Sequence, residues 1–304
     1  MPQNEFETIS YRKIPHINLF INRIFYRSFH MHREMELLCL LAGECQVNVR
    51  GRIWAVKAGD ILLINHNEAH GIESEGGADF VILQVSNHML MTYYPGFRTT
   101  WFEKTVVTEG LTKERKEELW RVIRALAVAY LGEEEYYELN VVGKTAELLR
   151  LLYESCPHTV YSEEKYLERK KVLGRVSRLA DSISERYAEK MSLQELAEEE
   201  GLTVPYLSHF FREQFGVSFQ EYVNNLRFEN ALRLMANPQL SINDIAVTSG
   251  FSDVKYMARL FRERFSMTPG EYRKSAGKVE AAGTLRTGEM RFGREEGLAI
   301  LKRA

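Results

Sequence analysis

Between residues 17 and 86 the chain alternates short apolar or β-branched runs with turn signals. Residues 37–41 run into Ala42-Gly43, 46–50 into Gly51, 53–56 into Gly59-Asp60, and 61–64 into Asn65-His66-Asn67, with a further run at 80–85. Short strands at this spacing predict a sandwich or barrel. Past Thr112 the period changes to that of helices. Leu119, Ile123, Leu126 and Tyr130 form one stripe, and Val142, Leu149 and Leu152 a second. Two amphipathic helices after a barrel can bury a face on a second copy, although stripes packed on the barrel itself would look alike. Glu133-Glu134-Glu135 lies at the break between them and reads as a solvated face. The charge-dense residues 162–170 read as an interdomain boundary, and a helix follows over 172–187. From residue 277 a tail punctuated by Gly277, Gly283, Gly288 and Gly293 shows little periodicity and is expected to be partly disordered.

Residues 192–272 contain one pattern twice. The first copy carries Leu193, Leu196, Ala197, Gly201, Tyr206, Leu207, Phe211, Arg212, Phe215 and Tyr222. The second carries Ile242, Ile245, Ala246, Gly250, Tyr256, Met257, Phe261, Arg262, Phe265 and Tyr272. An offset of about fifty residues marks a duplicated supersecondary unit. Each copy predicts a helix, a glycine turn suited to positive φ, and a second helix: a helix-turn-helix. Ser192 with Glu195 forms a capping box, and Ser241 with Asp244 echoes it. Residues 219–236 read as one connecting helix, which at about 1.5 Å per residue spans about 27 Å. With the width of the units added, one chain can place two reading helices in successive major grooves, roughly 34 Å apart.

Composition changes this picture little. The 304 residues suffice for two domains, and a formal net charge of -2 does not exclude a nucleic-acid partner, because basic groups need only gather on one face. Here the first helix of the first unit is acidic (Glu195, Glu198, Glu199, Glu200), whereas the second helices carry Arg212, Lys255, Arg259, Arg262 and Arg264. Outward positions at the reading helices are Val204, Pro205, Ser208, His209 and Arg212, then Val254, Lys255, Ala258, Arg259 and Arg262. Arginine there can bond guanine in bidentate fashion. Cys39, Cys45 and Cys156 suggest neither a disulfide framework nor a thiolate zinc site. No secretory signal or membrane-spanning run is read, so the expectation is a cytoplasmic protein with no membrane contact.

On these residues the region from about 175 to 274 resembles the DNA-binding domain of the AraC/XylS family of bacterial transcription regulators. The residues carrying the resemblance include Ser192-Leu-Gln-Glu-Leu-Ala197, Phe211-Arg212, Arg227, Ile245-Ala246, Gly250-Phe251, Phe261-Arg262 and Thr268-Pro269-Gly-Glu-Tyr272-Arg273. Two departures are Ser266 in place of the usual glycine and Met257 in place of a common phenylalanine. The resemblance implies double-stranded operator DNA and RNA polymerase as partners, with activation the default. It implies DNA contacts at Pro205, Ser208, His209, Arg212, Lys255, Ala258, Arg259 and Arg262.

A second constellation is His30-Met-His32, Glu36, Gly43, Gly59-Asp60 and His70. Two histidines at i and i+2 share a strand face, and Glu36 keeps it by even offset. The spacing resembles the two motifs of the cupin barrel, with Asn65 and Asn67 replacing the usual proline and glycine of the second. Three readings stand beside one another: a small-molecule pocket, with a sugar favoured by family resemblance; a divalent transition-metal site; and ordinary partnered histidines. The fold class expected is therefore α+β and multidomain. A cupin-like β-barrel with two following helices (1–165, effector binding and dimerisation) precedes an all-α tandem helix-turn-helix domain (166–276) and the tail (277–304). The function expected is a DNA-binding regulator without catalytic residues or cofactor, a homodimer responding to an effector at His30, His32, Glu36 and His70. The alternative is a metal-binding cupin enzyme, of isomerase or dioxygenase type, with an appended DNA-binding domain and the same four residues as ligands. Residues 1–15 and the connector 162–170 are candidate transmitters between the domains.

Overall fold

The computed structural model describes residues 6–7, 9–11, 13–280 and 288–303. Strands β1 (Phe6–Glu7), β2 (Ile17–His32), β3 (Met35–Ala42), β4 (Glu44–Val49), β5 (Arg52–Lys57), β6 (Ile61–Ile64) and β7 (His70–Val85) build the amino-terminal barrel. The long β7 is its spine. One edge pairs antiparallel with β2. The other edge pairs with β4 near His70 and with β3 further along, and β6 completes that side on β3. Period-two alternation buries both faces. Ile17, Leu19 and Ile21 of β2, with Leu37, Val81 and Leu83, point outward to a helical layer. Ile24, Leu38, Leu40, Phe80 and Ile82 point into the barrel against Val47, Val56 and Leu62.

The helical layer is α1 (Lys113–Gly132) and α2 (Tyr137–Ser155). Leu119, Ile123, Leu126 and Tyr130 are buried as the stripe predicts, together with Leu149 and Leu152. Val142 is corrected: it is 44% exposed, and Val141 beside it turns inward. The stripes pack on the chain's own barrel, which accounts for their amphipathicity without a partner. Glu133 to Glu135 are exposed, and Glu133 pairs with Lys13. Strands β8 (Thr100–Phe102) and β9 (His158–Val160) pair with each other beside this layer.

Residues 162–170 are not a break. Ser162 caps a single helix, α3 (Glu163–Arg186), by accepting from the Lys165 amide, so the charged segment forms its first turns. Glutamate, lysine, arginine and leucine are good helix formers, and the density of charge marks exposure rather than an end. The expected division at 165–166 thus falls inside a continuous helix.

The duplicated pattern folds as two helix-turn-helix units. The first is α4 (Leu193–Glu199) with α5 (Val204–Phe215); the second is α7 (Ile242–Thr248) with α8 (Val254–Phe265). Between them runs α6 (Phe219–Leu234), and α9 (Pro269–Glu280) follows. Full capping boxes form at Ser192/Glu195, Ser218/Glu221 and Ser241/Asp244. Each unit has an aromatic core: Phe211, Phe215 and Tyr222 in one, Phe228, Phe261 and Tyr272 in the other. Barrel residues enter both cores, Met31 and Ala69 the first and Tyr26 the second.

The expected disorder of the tail is corrected for its described part. Strand β10 (Glu289–Arg291) pairs antiparallel with β2. Helix α10 (Arg294–Arg303) packs on α1, burying Leu301. The tail's periodicity was hard to see because its apolar positions are few and spread between two short elements. Residues 281–287 and 304 lie outside the described residues. So do 1–5, 8 and 12 of the arm; its β1 runs parallel to β2 at Met31 and His32.

Gly201 and Gly250 occupy equivalent turns with φ of 65° and 84°. A Cβ on Gly201 would meet open space, whereas one on Gly250 would lie 2.5 Å from the Ala188 Cα. Gly201→Ala is expected to cost about 1–2 kcal/mol through the left-handed backbone alone. Gly250→Ala is expected to cost on the order of 3 kcal/mol or more, because a packed backbone must also move. Urea midpoints of the two variants check this ordering.

Candidate functional site

The four residues singled out on the barrel converge. The ligating atoms of His30, His32, Glu36 and His70 lie within 4.8 Å of one another, and all four side chains are buried. The route differs from simple alternation along one strand. His30 and His32 end β2, and His70 opens β7 directly opposite His30 in the register. Glu36 lies on β3, which does not pair with β2 but sits on the far edge of β7, opposite Gln84. The even offset therefore agrees with the outcome without causing it.

Three backbone carbonyls orient the imidazoles. Nδ1 of His30 faces the Ser28 carbonyl at 2.9 Å, that of His32 the Glu34 carbonyl at 3.2 Å, and that of His70 the Glu68 carbonyl at 2.9 Å. A carbonyl oxygen only accepts, so each Nδ1 carries the proton and each Nε2 is left as the outward atom. Nε2 of His32 and of His70 then stands 3.1 Å from the two Glu36 oxygens. Two acceptors at that distance call for a shared proton or a cation between them. Burial, and next the neighbouring His70, hold the His30 pKa well below its ordinary value. Burial opposes the Glu36 carboxylate, yet the charge and hydrogen bond of His32, with those of His70, carry its pKa well below the usual range.

A polar row continues from the cluster across the inner sheet face. Gln84 donates to Glu36 at 2.7 Å and accepts from Asn18 Nδ2 at 2.8 Å. This row borders a cavity of about 740 Å³ lined by Asn18, Phe20, Asn22, Arg27, His30, Glu36 and Gln84 over an apolar floor including Leu38 and Ile82. Such a size suits a small organic molecule. Asn22 Oδ1 is buried with no hydrogen-bond partner among the described residues. Sequence reasoning missed Asn18, Asn22 and Gln84. Their signal was present, since polar residues interrupt β-rich runs at alternating positions on strands buried on both faces.

Asn65 and Asn67 explain themselves in this setting. Asn65 clamps the Phe102 backbone through both amide atoms, at 3.0 and 2.8 Å. Asn67 adopts a φ of 56°, the left-handed turn a glycine would otherwise supply.

On the helical module Pro205, His209 and Arg212 of α5 are exposed, with Ser208 half-buried. Lys255, Arg259 and Arg262 of α8 are exposed, with Ala258 half-buried. The structure thus leaves Pro205, His209, Lys255, Arg259 and Arg262 exposed on the two second helices, with Ser208 and Ala258 partly covered and Arg212 beside the barrel. Arg259 lies 4.7 Å over the Tyr256 ring and 3.4 Å from Glu263. Arg212 lies at the barrel end of α5, lining a cleft with Glu68 and Glu103. Arg264 departs from the expectation of a basic surface position. Its guanidinium bonds the Tyr26 hydroxyl and, at 2.6 Å, Asn225, and lies 4.5 Å from the Tyr26 and Phe228 ring centres. It joins the barrel to the second unit.

Comparison with known proteins follows the same division. Residues 21–126 match the AraC-like ligand binding domain family, and residues 196–275 match the helix-turn-helix domain family. An uncharacterized HTH-type transcriptional regulator of Staphylococcus aureus is 26% identical over 234 residues, which is 77% of this chain and 30% of that protein. The chain therefore spans under a third of the length of that relative. The HTH-type transcriptional regulator YijO of Escherichia coli is 35% identical over 96 residues, 32% of this chain and 34% of its own. Among solved structures, ToxT from Vibrio cholerae aligns with 85% of this chain and 97% of its own at 15% identity and a TM-score of 0.46.

Gln84→Leu is expected to destabilise the barrel by about 1–3 kcal/mol, because the Asn18 amide loses its acceptor and the buried Glu36 Oε2 keeps His32 alone of its two partners. The thermal midpoint of the full chain measures it; an unchanged midpoint would mean that water replaces the amide at no cost.

Proposed function

Because this chain belongs to the AraC family of helix-turn-helix regulators, we propose that it is a sequence-specific transcription regulator governed by a small molecule held in its barrel. The AraC family is not a family of enzymes. The observation that supports this reading most is that β2 serves both halves. Its inner face carries Asn18, Asn22, His30 and His32, while Tyr26 and the Ser28 amide, which Glu229 receives at 3.3 Å, touch α6 and α8. A ligand that shifts β2 acts on the reading helices without an intermediary. It shifts the equilibrium only by as much as it prefers one arrangement of the domains over the other.

The effector proposed is a sugar, bound by His30, His32, Glu36 and His70 with the amide row, and the regulatory sign proposed is activation through RNA polymerase. The favoured sugar class and sign come from the family resemblance; the amides add matching hydrogen-bonding chemistry. Double-stranded DNA would be read by Ser208, His209 and Arg212 from one unit, and Lys255, Arg259 and Arg262 from the other. The arm, through β1 beside His32, and α3 are the proposed transmitters. A second copy is the partner proposed for the exposed Tyr136, Leu139 and Val142.

The imidazole geometry supports a second reading for the cluster. Three Nε2 atoms oriented by backbone carbonyls, with one carboxylate, make a donor set suited to a divalent transition metal. There the metal would act as a Lewis acid toward ligand oxygens, with His30, His32, Glu36 and His70 holding it.

Melting temperatures of the full chain against neutral sugars and divalent metals, with and without chelator, separate the readings. A ligand that binds only the folded state must raise the midpoint at saturation. A sugar shift indifferent to chelator supports the sugar pocket; a shift that chelator abolishes supports the metal. His32→Ala is expected to remove the shift and leave DNA binding intact, and a retained shift would take His32 out of the site. Arg259→Ala is expected to cost about 1–3 kcal/mol and relax preference at one base pair. Equal loss on every duplex would reduce Arg259 to a phosphate contact.

A further inference from the structure

The wall of the barrel cavity is not made by the barrel alone. Strand β10, downstream of the second helix-turn-helix unit, pairs with β2 so that Glu289 faces Ile24 and Arg291 faces Asn22 in the register. Glu289 and Arg291 both line the cavity. One Glu289 oxygen accepts from Asn22 Nδ2 at 2.8 Å, and the other stands 3.1 Å from Arg27 Nη1. The Arg291 guanidinium lies 4.6 Å from the centre of the Phe20 ring. The segment is seated at both ends: the Phe25 and Tyr26 amides donate to the Gly288 carbonyl, at 2.8 and 3.1 Å, and the Phe292 amide donates to Ile21 at 2.9 Å. Helix α10 then anchors on α1.

We infer that Glu289 and Arg291 are specificity-determining residues of the effector site, which is completed only when the carboxy-terminal segment docks on β2. This rests on the sugar-responsive reading above. The ligand class follows from the balance of charge on the wall. Arg27 and Arg291 stand with Glu36 and Glu289; Lys13 and Arg294, which also line the cavity, are engaged by Glu133 and by the Gly132 carbonyl; and Asn18, Asn22 and Gln84 add amides that both donate and accept. Because these charged groups already have partners, a neutral polyhydroxylated molecule can share their hydrogen bonds and those of the amides, whereas an amine would meet the surplus of cations and a carboxylate is the competitor that the test must separate. The arrangement also explains how a cavity in the barrel senses the far end of the chain. Helix α9 ends at Glu280 and β10 begins at Glu289, so the wall is tied to the second reading unit by a short stretch of chain.

The test uses the full chain and a panel of neutral pentoses and hexoses, with gluconate as a charged counterpart, read as the melting temperature against concentration. Glu289→Gln keeps an acceptor for Asn22 and removes the charge facing Arg27; Arg291→Met keeps the stem over Phe20 and removes the donors. Lys302→Ala, exposed on α10, controls for a general effect of altering the tail. The expected result is a neutral sugar whose half-saturating concentration rises at least tenfold in Glu289→Gln and in Arg291→Met, with a changed order of preference among the sugars. The Lys302→Ala variant should match the unaltered protein. If a neutral sugar acts equally on all four proteins, the tail has no role in the site and the barrel reading stands. A response confined to gluconate overturns the neutral class and this inference with it. Absence of any response in the unaltered protein removes the sugar reading itself.

Discussion

The pairing of β7 with β2 on one edge and with β3 and β4 on the other is the constraint from which the rest of the amino-terminal domain follows. The register places Gln84 between Asn18 and Glu36, and two irregularities along β2, between Ile24 and Tyr26 and between Arg27 and His30, reset it so that His70 faces His30. A slip of one residue would turn every inner side chain outward, sending Leu37, Val81 and Leu83 into the cavity and the polar row into the helical layer. The two apolar faces forbid that slip, since each is matched to a different core. The geometry of the cluster is therefore enforced by burial around it rather than by the polar contacts within it. The contacts then narrow what the site can hold, because three protonated Nδ1 atoms leave three Nε2 atoms and a carboxylate facing one another.

Strand β2 is also where the two halves of the chain meet. Its cavity side carries Asn18, Asn22 and His30 beside Phe20 and Ile24. Its Tyr26 joins the aromatic core of the second helix-turn-helix unit, and Met31 joins that of the first. Arg264 completes this joint by stacking on Tyr26 and Phe228 while bonding Asn225. Charge held between aromatic faces and fixed hydrogen bonds is directional, unlike a surface ion pair, and it relates α8 to the barrel in orientation as well as distance. With β10 lying against the same strand, both reading units and the tail touch the element that carries His30 and His32.

Much of the helical module was legible in the chain. Capping boxes, glycine turns and the repeated aromatic positions are local signals, and they placed both units and the connecting helix to within two residues. The outward positions followed from helical periodicity, which also placed Arg259 and Lys255 correctly. Arg264 was misjudged because period alone shows where a side chain leaves its helix and not what lies in front of it. The charged stretch at 162–170 opens helix α3 for a related reason. Charge reports exposure, and a helix can be exposed without ending.

What the sequence by itself determined is thus the kind and order of elements: β-rich half, helical pair, duplicated helix-turn-helix, and the four residues His30, His32, Glu36 and His70 as one candidate cluster. Hydrophobic period, caps and turn residues act over a few positions and need no partner to be read. Only the tertiary structure decided that the α1 and α2 stripes serve the chain's own barrel, that Arg264 faces inward, and that Glu289 and Arg291 close the cavity. Each of those depends on which strand edges and faces meet across hundreds of residues. Pairing at that separation is selected by the burial of whole faces at once, and no local pattern records it.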